Sequence, residues 1–203
     1  MSPGPLAKYL VVDGFLAPAL LADILGRTLA HRQSFQPTRV RVDEQGVIDP
    51  QIRRSLRCTA GLGPFKTPFV AAVHARFAEF CAAAGVPEFA IADTEIELAA
   101  HGDGGFYKVH LDTYTQADRA DAVTDRMLSL VFYFNVEPQA YSGGELLLHR
   151  FGRGEPARVV PCNNRLVVFS SIAPHEVLPV SCPSGEFADY RFAVNCWLHR
   201  ARS

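Results

Sequence analysis

Hydrophobic positions in the first part of the chain follow the spacing of two amphipathic helices. A short apolar run at residues 9–12 comes first, and apolar side chains then recur every three or four positions over 17–31. A second pattern of the same kind covers 68–84 and ends at a Gly-Val-Pro sequence that stops helices. The stretch 32–64 is polar, rich in arginine and broken by glycine and proline. It predicts a long irregular loop, and such loops in compact domains often carry function.

After residue 87 the pattern changes to short β-type runs separated by turn residues. Eight runs follow one another without an intervening helix, at residues 91–99, 106–112, 127–135, 145–151, 157–160, 166–170, 175–181 and 190–198. This order predicts a mainly β fold, either a sandwich or a barrel, and a jelly roll is one eight-stranded solution. We therefore expect a single domain over 1–203, in which a helical layer and loop (1–89) pack on a β core (90–200).

Composition and charge narrow the partners that the protein is expected to have. The chain has 203 residues, 48% of them hydrophobic, which is ordinary for a globular domain with a proper core. Its formal net charge of −1 argues against nucleic acid or an anionic membrane as the main partner. The sequence has neither a signal-peptide pattern at its start nor an apolar run of membrane-spanning length. We therefore expect a cytoplasmic protein without a membrane span.

The cysteines occur in an odd number and form no C-x-x-C pair. They are Cys58, Cys81, Cys162, Cys182 and Cys196. This pattern disfavours a structural zinc site or a disulfide framework. It favours buried reduced thiols, as in the reducing cytosol.

One pair of polar residues in the second β-type run has the spacing of metal ligands. In a strand, residues i and i+2 point to the same face, so His110 and Asp112 project together. With His175, which opens a later run, they have the composition of the facial triad that binds non-haem Fe(II). A surface histidine is the alternative. His101 and Asp103 have the same spacing, but they lie in a glycine-rich turn that does not fix side-chain direction, so we rank them lower.

The last β-type run places an arginine where a charge is unexpected. One set of its alternate residues is wholly apolar and predicts the face that packs against the core outside the barrel. Arg191, Asn195 and Trp197 lie on the opposite face, and a buried arginine requires an anionic partner. That partner is either a ligand carboxylate or a carboxylate of the protein. Tyr133, on a mixed face of the third run, either donates to the same carboxylate or is an amphipathic core residue.

Together these segments resemble the prolyl-4-hydroxylase-like branch of the Fe(II)/2-oxoglutarate-dependent dioxygenases. Five segments carry the resemblance in order: Tyr107-Lys-Val-His-Leu-Asp112, Leu130-Val-Phe-Tyr-Phe-Asn135, Ser142-Gly-Gly-Glu-Leu146, Arg165-Leu-Val-Val-Phe169, and Pro174-His-Glu-Val177 followed by Tyr190-Arg-Phe-Ala-Val-Asn-Cys-Trp197. Residues 11–16, before the first helix, also look like the start of that family. The implied fold is the double-stranded β-helix, a jelly-roll, cupin-like core.

The resemblance also implies a role for each of these side chains. His110, Asp112 and His175 would bind Fe(II) and form the catalytic centre. Arg191 would pair with the distal carboxylate of the cosubstrate 2-oxoglutarate, and Tyr133 would donate a hydrogen bond to it. The rest of the pocket would be lined by Tyr107, Leu146, Val177, Asn195 and Trp197. Dioxygen is the implied co-reactant, with ascorbate as an auxiliary reductant.

Two features depart from the family pattern. Fifteen residues separate His175 from Arg191, more than relatives usually have, and we expect a hairpin extension at 181–187 to absorb them. Ala100 stands where animal prolyl hydroxylases carry another cosubstrate-binding tyrosine, so that contact would be missing or supplied by Tyr107. Neither departure affects the predicted metal ligands. The carboxylate of Asp112 favours hydroxylation or another oxidation over halogenation.

The resemblance implies hydroxylation of an unactivated C–H bond with release of succinate and CO2. The substrate would be a prolyl residue of a peptide, a free amino acid or a related small metabolite. An acidic group of the substrate could bind arginines of the charged stretch 113–126 or of the loop 32–64. The alternative is that both segments are simply solvated. The loop arginines are Arg39, Arg41, Arg53, Arg54 and Arg57. The alternative class is a catalytically silent barrel that binds the metal and 2-oxoglutarate as a sensing or binding module. A cupin-like enzyme without 2-oxoglutarate would leave Arg191 unexplained.

Overall fold

The computed structural model describes residues 3–39, 48–113 and 122–202 of the chain. Within these ranges the α-helices are α1 (Pro18–Ala30), α2 (Lys66–His74) and α3 (Phe77–Ala84). Helix α1 confirms the first helix predicted from the apolar spacing. Helix α3 ends at Gly85, as expected, because this residue adopts a left-handed conformation with φ of +68° that glycine tolerates readily.

The prediction of one helix over 68–84 is wrong, because α2 and α3 are separate. A continuous helix would carry Arg76 on the same face as Val73 and Phe80, both fully buried. The break leaves the guanidinium of Arg76 partly exposed, where it donates hydrogen bonds of 2.6 and 2.8 Å to Glu79. Burying an unpaired guanidinium would cost more than interrupting the helix, which accounts for the break.

Fourteen strands occur in the described residues. Their bounds are β1 (Tyr9–Asp13), β2 (Phe35–Pro37), β3 (Arg53–Arg54), β4 (Leu56–Cys58), β5 (Ile91–His101), β6 (Phe106–His110), β7 (Thr124–Phe134), β8 (Ser142–Gly143), β9 (Leu146–Leu148), β10 (Ala157–Val159), β11 (Arg165–Ser170), β12 (His175–Val177), β13 (Val180–Ser181) and β14 (Arg191–Ala201). The larger sheet has the order β1-β11-β7-β14-β5-β4-β2, and the smaller has the order β10-β9-β12-β6-β3. A short pair, β13-β8, completes a mainly β, antiparallel fold, as predicted.

Several predicted boundaries need correction. The loop 32–64 is not irregular throughout, because β2 and β4 extend the larger sheet beside β5 while β3 pairs with β6 in the smaller one. These partners are distant in sequence, so the local pattern does not reveal the pairing. Residues 40–47 of that loop lie outside the described ranges. The run 175–181 divides into β12 and β13, and β6 ends at His110, so that Asp112 follows the strand instead of belonging to it.

The larger sheet packs against apolar residues on both of its faces. The core on one face joins the helices to the sheet and includes Ile24, Phe69, Phe80, Phe132 and Val194. The core on the other face joins the two large sheets and includes Tyr133, Leu146, Leu148, Phe169 and Ala193. The second core therefore forms the floor of the space between the sheets.

The cysteines and the lengths of the helices complete the description of the fold. All five cysteines are free thiols. Within the described part of the chain, every helix is too short or too polar to cross a membrane.

Candidate active site

A cavity of about 610 Å³ lies between the two large sheets. Strands β5, β7 and β14 supply one wall, and β6, β9 and β12 supply the other. Every site residue predicted from the sequence lines this cavity: Tyr107, His110, Asp112, Tyr133, Leu146, His175, Val177, Arg191, Asn195 and Trp197. Their convergence on one cavity is a finding of the structure, since they are spread over almost one hundred residues of sequence.

His110, Asp112 and His175 meet in one corner of the cavity. The Oδ1 atom of Asp112 lies 3.6 Å from Nε2 of His110, and its Oδ2 atom lies 3.5 Å from Nε2 of His175. One ligand atom from each residue lies within 4.8 Å of the other two, a spacing that suits a single metal ion. Strand pairing creates this arrangement, because His110 in β6 lies directly opposite His175 in β12.

Hydrogen bonds to backbone carbonyls orient both histidines. The Nδ1–H of His110 donates to the carbonyl of Lys108 at 2.8 Å, and the Nδ1–H of His175 donates to that of Ala173 at 2.9 Å. Because a carbonyl only accepts, each neutral ring carries its proton on Nδ1 and keeps the lone pair of Nε2 for a metal. The hydroxyl of Ser129 donates to Oδ2 of Asp112 at 2.7 Å and fixes the carboxylate in turn.

The charge states in this corner also suit a metal ligand set. Burial lowers the pKa of His175 to about 4, although the nearby carboxylate of Asp112 acts in the opposite direction. For Asp112, burial would raise the pKa, but His175, His110 and the hydrogen bond from Ser129 together hold the pKa well below its usual range. At neutral pH the corner therefore holds an ionised carboxylate and a neutral His175, which are the forms that bind metals.

A buried arginine and a buried tyrosine lie at the inner part of the cavity. Arg191 is 1% exposed and Tyr133 is fully buried, and the guanidinium carbon lies 4.7 Å from the centre of the tyrosine ring. No carboxylate among the described residues pairs with Arg191. Its Nε atom and the hydroxyl of Tyr133 are both buried without a hydrogen-bond partner in the same described ranges. A buried cation and two unused donors fit the carboxylate of a ligand.

Gly144 makes room for this arginine. A Cβ atom at position 144 would lie only 2.6 Å from Cδ of Arg191, and the backbone φ of +69° is itself a conformation that favours glycine. The Ser-Gly-Gly segment singled out in the sequence therefore packs its backbone against the arginine side chain.

Aromatic, apolar and polar side chains complete the wall around the triad. The ring of Tyr107 stacks on His110, with centroids 3.5 Å apart. Leu146 in β9 lies opposite Val177 in β12, so the two supply an apolar patch across one strand pair. These three residues line the cavity as the resemblance implied.

The mouth of the cavity is lined by ion pairs that the sequence argument missed. Arg53 binds Glu97 and Arg126 binds Glu95, each with an N–O distance of 2.6 Å. Asn195 donates to Glu97 at 3.2 Å, and the guanidinium of Arg126 lies 4.1 Å from the centre of the Trp197 ring. The mouth therefore carries charges of both signs.

A sequence signal for the missed residues exists in β5. Glu95, Glu97 and His101 occupy odd positions, whereas the even positions Ile96, Leu98 and Ala100 belong to the apolar core. The odd positions pair with the inward face of β14: Trp197 with Glu95, Asn195 with Glu97 and Arg191 with His101. The expectation that His101 lies in a turn is wrong, because β5 continues through it and buries its ring. Its lower rank as a metal ligand agrees with the His110, Asp112 and His175 cluster.

The predicted substrate-side loops contribute only in part. Arg39 and Arg53 from the first loop line the cavity, as do Thr113 and Arg126 at the two ends of the second. The cavity lining does not include Arg54 or Arg57. Arg41 and residues 114–121 lie outside the described ranges.

The fold and the His-Asp-His cluster are typical of a family of iron-dependent oxygenases. Residues 96–199 match the 2OG-Fe(II) oxygenase superfamily, and the chain belongs to it. Members of this superfamily use Fe(II), 2-oxoglutarate and dioxygen, which confirms these three parts of the cofactor set that the resemblance implied.

The chain is similar in sequence to a PKHD-type hydroxylase and similar in fold to solved prolyl hydroxylases. The chain is 37% identical over 120 residues to an uncharacterized PKHD-type hydroxylase of Synechocystis; the match covers 55% of this chain and 38% of that protein. A prolyl hydroxylase of Trichoplax adhaerens, solved in complex with a hypoxia inducible factor peptide fragment, superposes with a TM-score of 0.70 at 20% identity, covering 95% of this chain and 83% of the other. A Pseudomonas putida prolyl-4-hydroxylase superposes with a TM-score of 0.68 at 23% identity, and the match covers 97% of this chain and 94% of the other. The fold is thus prolyl-4-hydroxylase-like, as expected.

Proposed function

We propose that this protein is an Fe(II)- and 2-oxoglutarate-dependent dioxygenase that hydroxylates an unactivated C–H bond and releases succinate and CO2. One observation carries the proposal: a His-Asp-His ligand set and a buried arginine without a carboxylate partner among the described residues line the same cavity. The first suits a divalent metal and the second suits an anionic cosubstrate.

His110, Asp112 and His175 would hold the iron, which supplies the activation of dioxygen and the oxidation of the C–H bond. The protein residues prepare this site before the metal binds. The backbone carbonyls of Lys108 and Ala173 hold each Nε2 lone pair towards the common centre. Three protein ligands leave positions for a cosubstrate and for dioxygen, as the facial triad does.

Arg191 and Tyr133 would bind the distal carboxylate of 2-oxoglutarate. A guanidinium can donate two parallel hydrogen bonds to a carboxylate, and the tyrosine hydroxyl adds a third. Both groups are buried, so the surrounding protein excludes water from the interaction and strengthens it. Leu146 and Val177 would pack against the apolar middle of the cosubstrate.

Tyr107, Asn195 and Trp197 would serve the part of the cavity nearer the mouth. Stacking of Tyr107 on His110 restrains the orientation of a metal ligand. Asn195 and Trp197 contact the two Arg–Glu pairs and so shape the entrance for the substrate.

The substrate class that we propose is a prolyl residue, a free amino acid or a related small metabolite. The prolyl hydroxylase structures of similar fold support a prolyl peptide. The two Arg–Glu pairs at the mouth support a substrate that carries charged groups. An acidic group of the substrate can pair with the arginine, and a basic group can pair with the glutamate.

The proposal extends to the architecture. We infer that the two large sheets form a double-stranded β-helix, and that residues 1–203 make one domain in which the layer formed by 1–89 packs on a catalytic core formed by 90–200. The apolar core that helices and sheet share supports this arrangement.

A succinate-release assay tests the function. Purified protein with Fe(II), 2-oxoglutarate and air would be incubated with free amino acids, with proline-containing peptides and with a metabolite extract. The mass of each product would be measured by mass spectrometry. We expect succinate to accompany the gain of one oxygen atom by one substrate class. Binding of Fe(II) and 2-oxoglutarate without any succinate, with or without a substrate, would instead support a silent sensing module.

A further inference from the structure

His101 is a buried cavity residue without a role in the site as proposed above. It ends β5, it lies opposite Arg191 of β14 in the larger sheet, and it is only 4% exposed. A Cβ atom added at Gly105 would lie 3.1 Å from the Cβ of His101, so the glycine-rich turn that follows β5 packs closely against His101. The ring is therefore held in place between this turn and the arginine.

The contact with Arg191 fixes the tautomer of the ring. Nη1 of Arg191 lies 3.2 Å from Nδ1 of His101. A guanidinium has only donors, so Nδ1 accepts this hydrogen bond and carries no proton. Burial, together with the positive charges of Arg191 and Arg53, lowers the pKa of His101 well below its ordinary value, so the ring is neutral. The one ring proton must then be on Nε2.

That remaining N–H group has no acceptor within the described ranges. Nε2 of His101 is buried and makes no hydrogen bond to any residue that the structure describes. The same is true of Nε of Arg191 and of the Tyr133 hydroxyl, and all three residues line one cavity. Buried donors normally find a partner, so three unused donors around one cavity indicate that a bound ligand supplies the acceptor.

We propose that His101 is a cosubstrate-binding residue that orients the guanidinium of Arg191 through Nδ1 and donates from Nε2 to the same ligand carboxylate. The inference rests on the proposed function, because it takes 2-oxoglutarate as the ligand. An ionised carboxylate accepts several hydrogen bonds, so it can satisfy the donors of His101, Arg191 and Tyr133 together.

Calorimetric binding of 2-oxoglutarate to the Zn(II)-loaded protein tests this role without turnover. We expect His101→Phe to weaken 2-oxoglutarate binding roughly 10- to 100-fold, because hydrogen bonds to a charged group are lost. Zn(II) affinity should stay unchanged, since the substitution removes no metal ligand. His31→Phe is the control, because His31 is half-buried at the end of α1 and lies outside the cavity lining.

Two further variants separate the two ring nitrogens and remain informative if His101→Phe fails to fold. The amide oxygen of His101→Asn can replace Nδ1 as the acceptor for Arg191, and the amide N–H of His101→Gln can replace the Nε2 donor. Each should bind 2-oxoglutarate better than His101→Phe and worse than the wild type. If all three variants bind within a factor of about two of the wild type, His101 has no part in the site.

Nitrogen NMR of the wild-type imidazole adds a readout that needs no substitution. We expect a neutral ring with its proton on Nε2, and a shift of that N–H resonance when 2-oxoglutarate is added. A proton on Nδ1, or a resonance that 2-oxoglutarate leaves unmoved, would overturn the inference. If the wild type fails to bind 2-oxoglutarate at all, the proposed function fails too; if only Arg191→Leu loses binding, the inference about His101 fails alone.

Discussion

Individual side chains give the cavity two electrostatically different ends. The carboxylate of Asp112 carries a buried negative charge at one end, between two imidazole rings. The guanidinium of Arg191 carries a buried positive charge at the other end, next to the neutral side chains of His101 and Tyr133. In the proposed function, a divalent metal would complement the first charge, and a carboxylate of the cosubstrate would complement the second.

Substitution of Arg191 should separate cosubstrate binding from chemistry. If Arg191 binds 2-oxoglutarate as proposed, Arg191→Leu removes a contact that is made before the reaction and kept throughout it. The KM for 2-oxoglutarate should then rise about 10- to 100-fold while kcat changes little. Arg200→Leu, at an exposed position of the same strand, is the matched control. Steady-state rates of succinate formation against 2-oxoglutarate concentration measure both constants. An unchanged KM would place the cosubstrate elsewhere.

Buried neutral histidines should make the metal-free protein sensitive to mild acid. Burial lowers the pKa of His175 to about 4, and it also lowers the pKa of His101. In an unfolded chain both rings protonate near pH 6.5. Between these values the unfolded state binds more protons, so stability is complete above about pH 6.5 and declines as the pH falls. From pH 7 to 5, the unfolding free energy measured in urea should drop by about 2 kcal/mol through His175, and protonation of His101 should add to this drop.

The same urea measurement on His101→Phe supplies the comparison. This variant lacks one of the two rings, so its stability should decline less than that of the wild type over the same pH range. Equal unfolding free energies of the wild type at pH 7 and pH 5 would show that neither ring is held neutral by burial.

At the level of elements, the site depends on which strand edges and turns meet. The inward faces of β5 and β14 pair residue by residue and bring Glu95, Glu97 and His101 next to Trp197, Asn195 and Arg191. The turn after β8 then presents a glycine backbone to the arginine. One pair of neighbouring strands thus holds the charged groups at the mouth and Arg191 at the inner end of the cavity.

Gly144→Ala tests the contribution of that turn. The new methyl group would lie 2.6 Å from Cδ of Arg191, so the guanidinium must move and the KM for 2-oxoglutarate should rise about 10-fold. Gly185→Ala is a close control, because its φ of +63° is similar and a Cβ there meets nothing within 4 Å. Both variants should lose about 1 kcal/mol of stability from backbone strain. Equal KM values for the two would show that the close contact does not matter.

Local sequence pattern accounted well for some elements and poorly for others. Alternation along β14 correctly separated the inward Arg191 from its apolar neighbours, because one residue of every pair must face the core. The short strands β2, β3 and β4 were missed, since their stability comes from distant partners. His101 was missed for a related reason: its role depends on an arginine ninety positions later, and the glycines around it are typical of a turn.

Across the whole molecule, one apolar core couples the helical layer to the sheet that carries the site. Phe132 of β7 is fully buried and contacts two aromatic rings of the first 89 residues, with centroids 5.9 Å from Phe15 and 5.7 Å from Phe69. The layer and the core are therefore expected to unfold together, as a single domain requires.

Phe132→Ala should test this coupling. Removal of a buried ring should lower the unfolding free energy by about 3–5 kcal/mol, while helical and β signals still vanish in one transition. Val123→Ala, at a position 80% exposed, should change it by less than about 0.5 kcal/mol. Circular dichroism at two wavelengths during urea unfolding measures both. Two separate transitions would show that the helical layer and the β core are independent units.

The central claim is that this cavity is the active site of an Fe(II)- and 2-oxoglutarate-dependent dioxygenase, and succinate formation under labelled dioxygen tests it most directly. With Fe(II), 2-oxoglutarate and ¹⁸O₂, the wild-type protein should produce succinate that carries one labelled oxygen atom. Asp112→Ala removes one of three metal ligands and should lower that rate by at least about 100-fold, whereas Asp23→Ala, exposed on α1, should not. Unlabelled succinate, no succinate, or full activity of Asp112→Ala would contradict the claim.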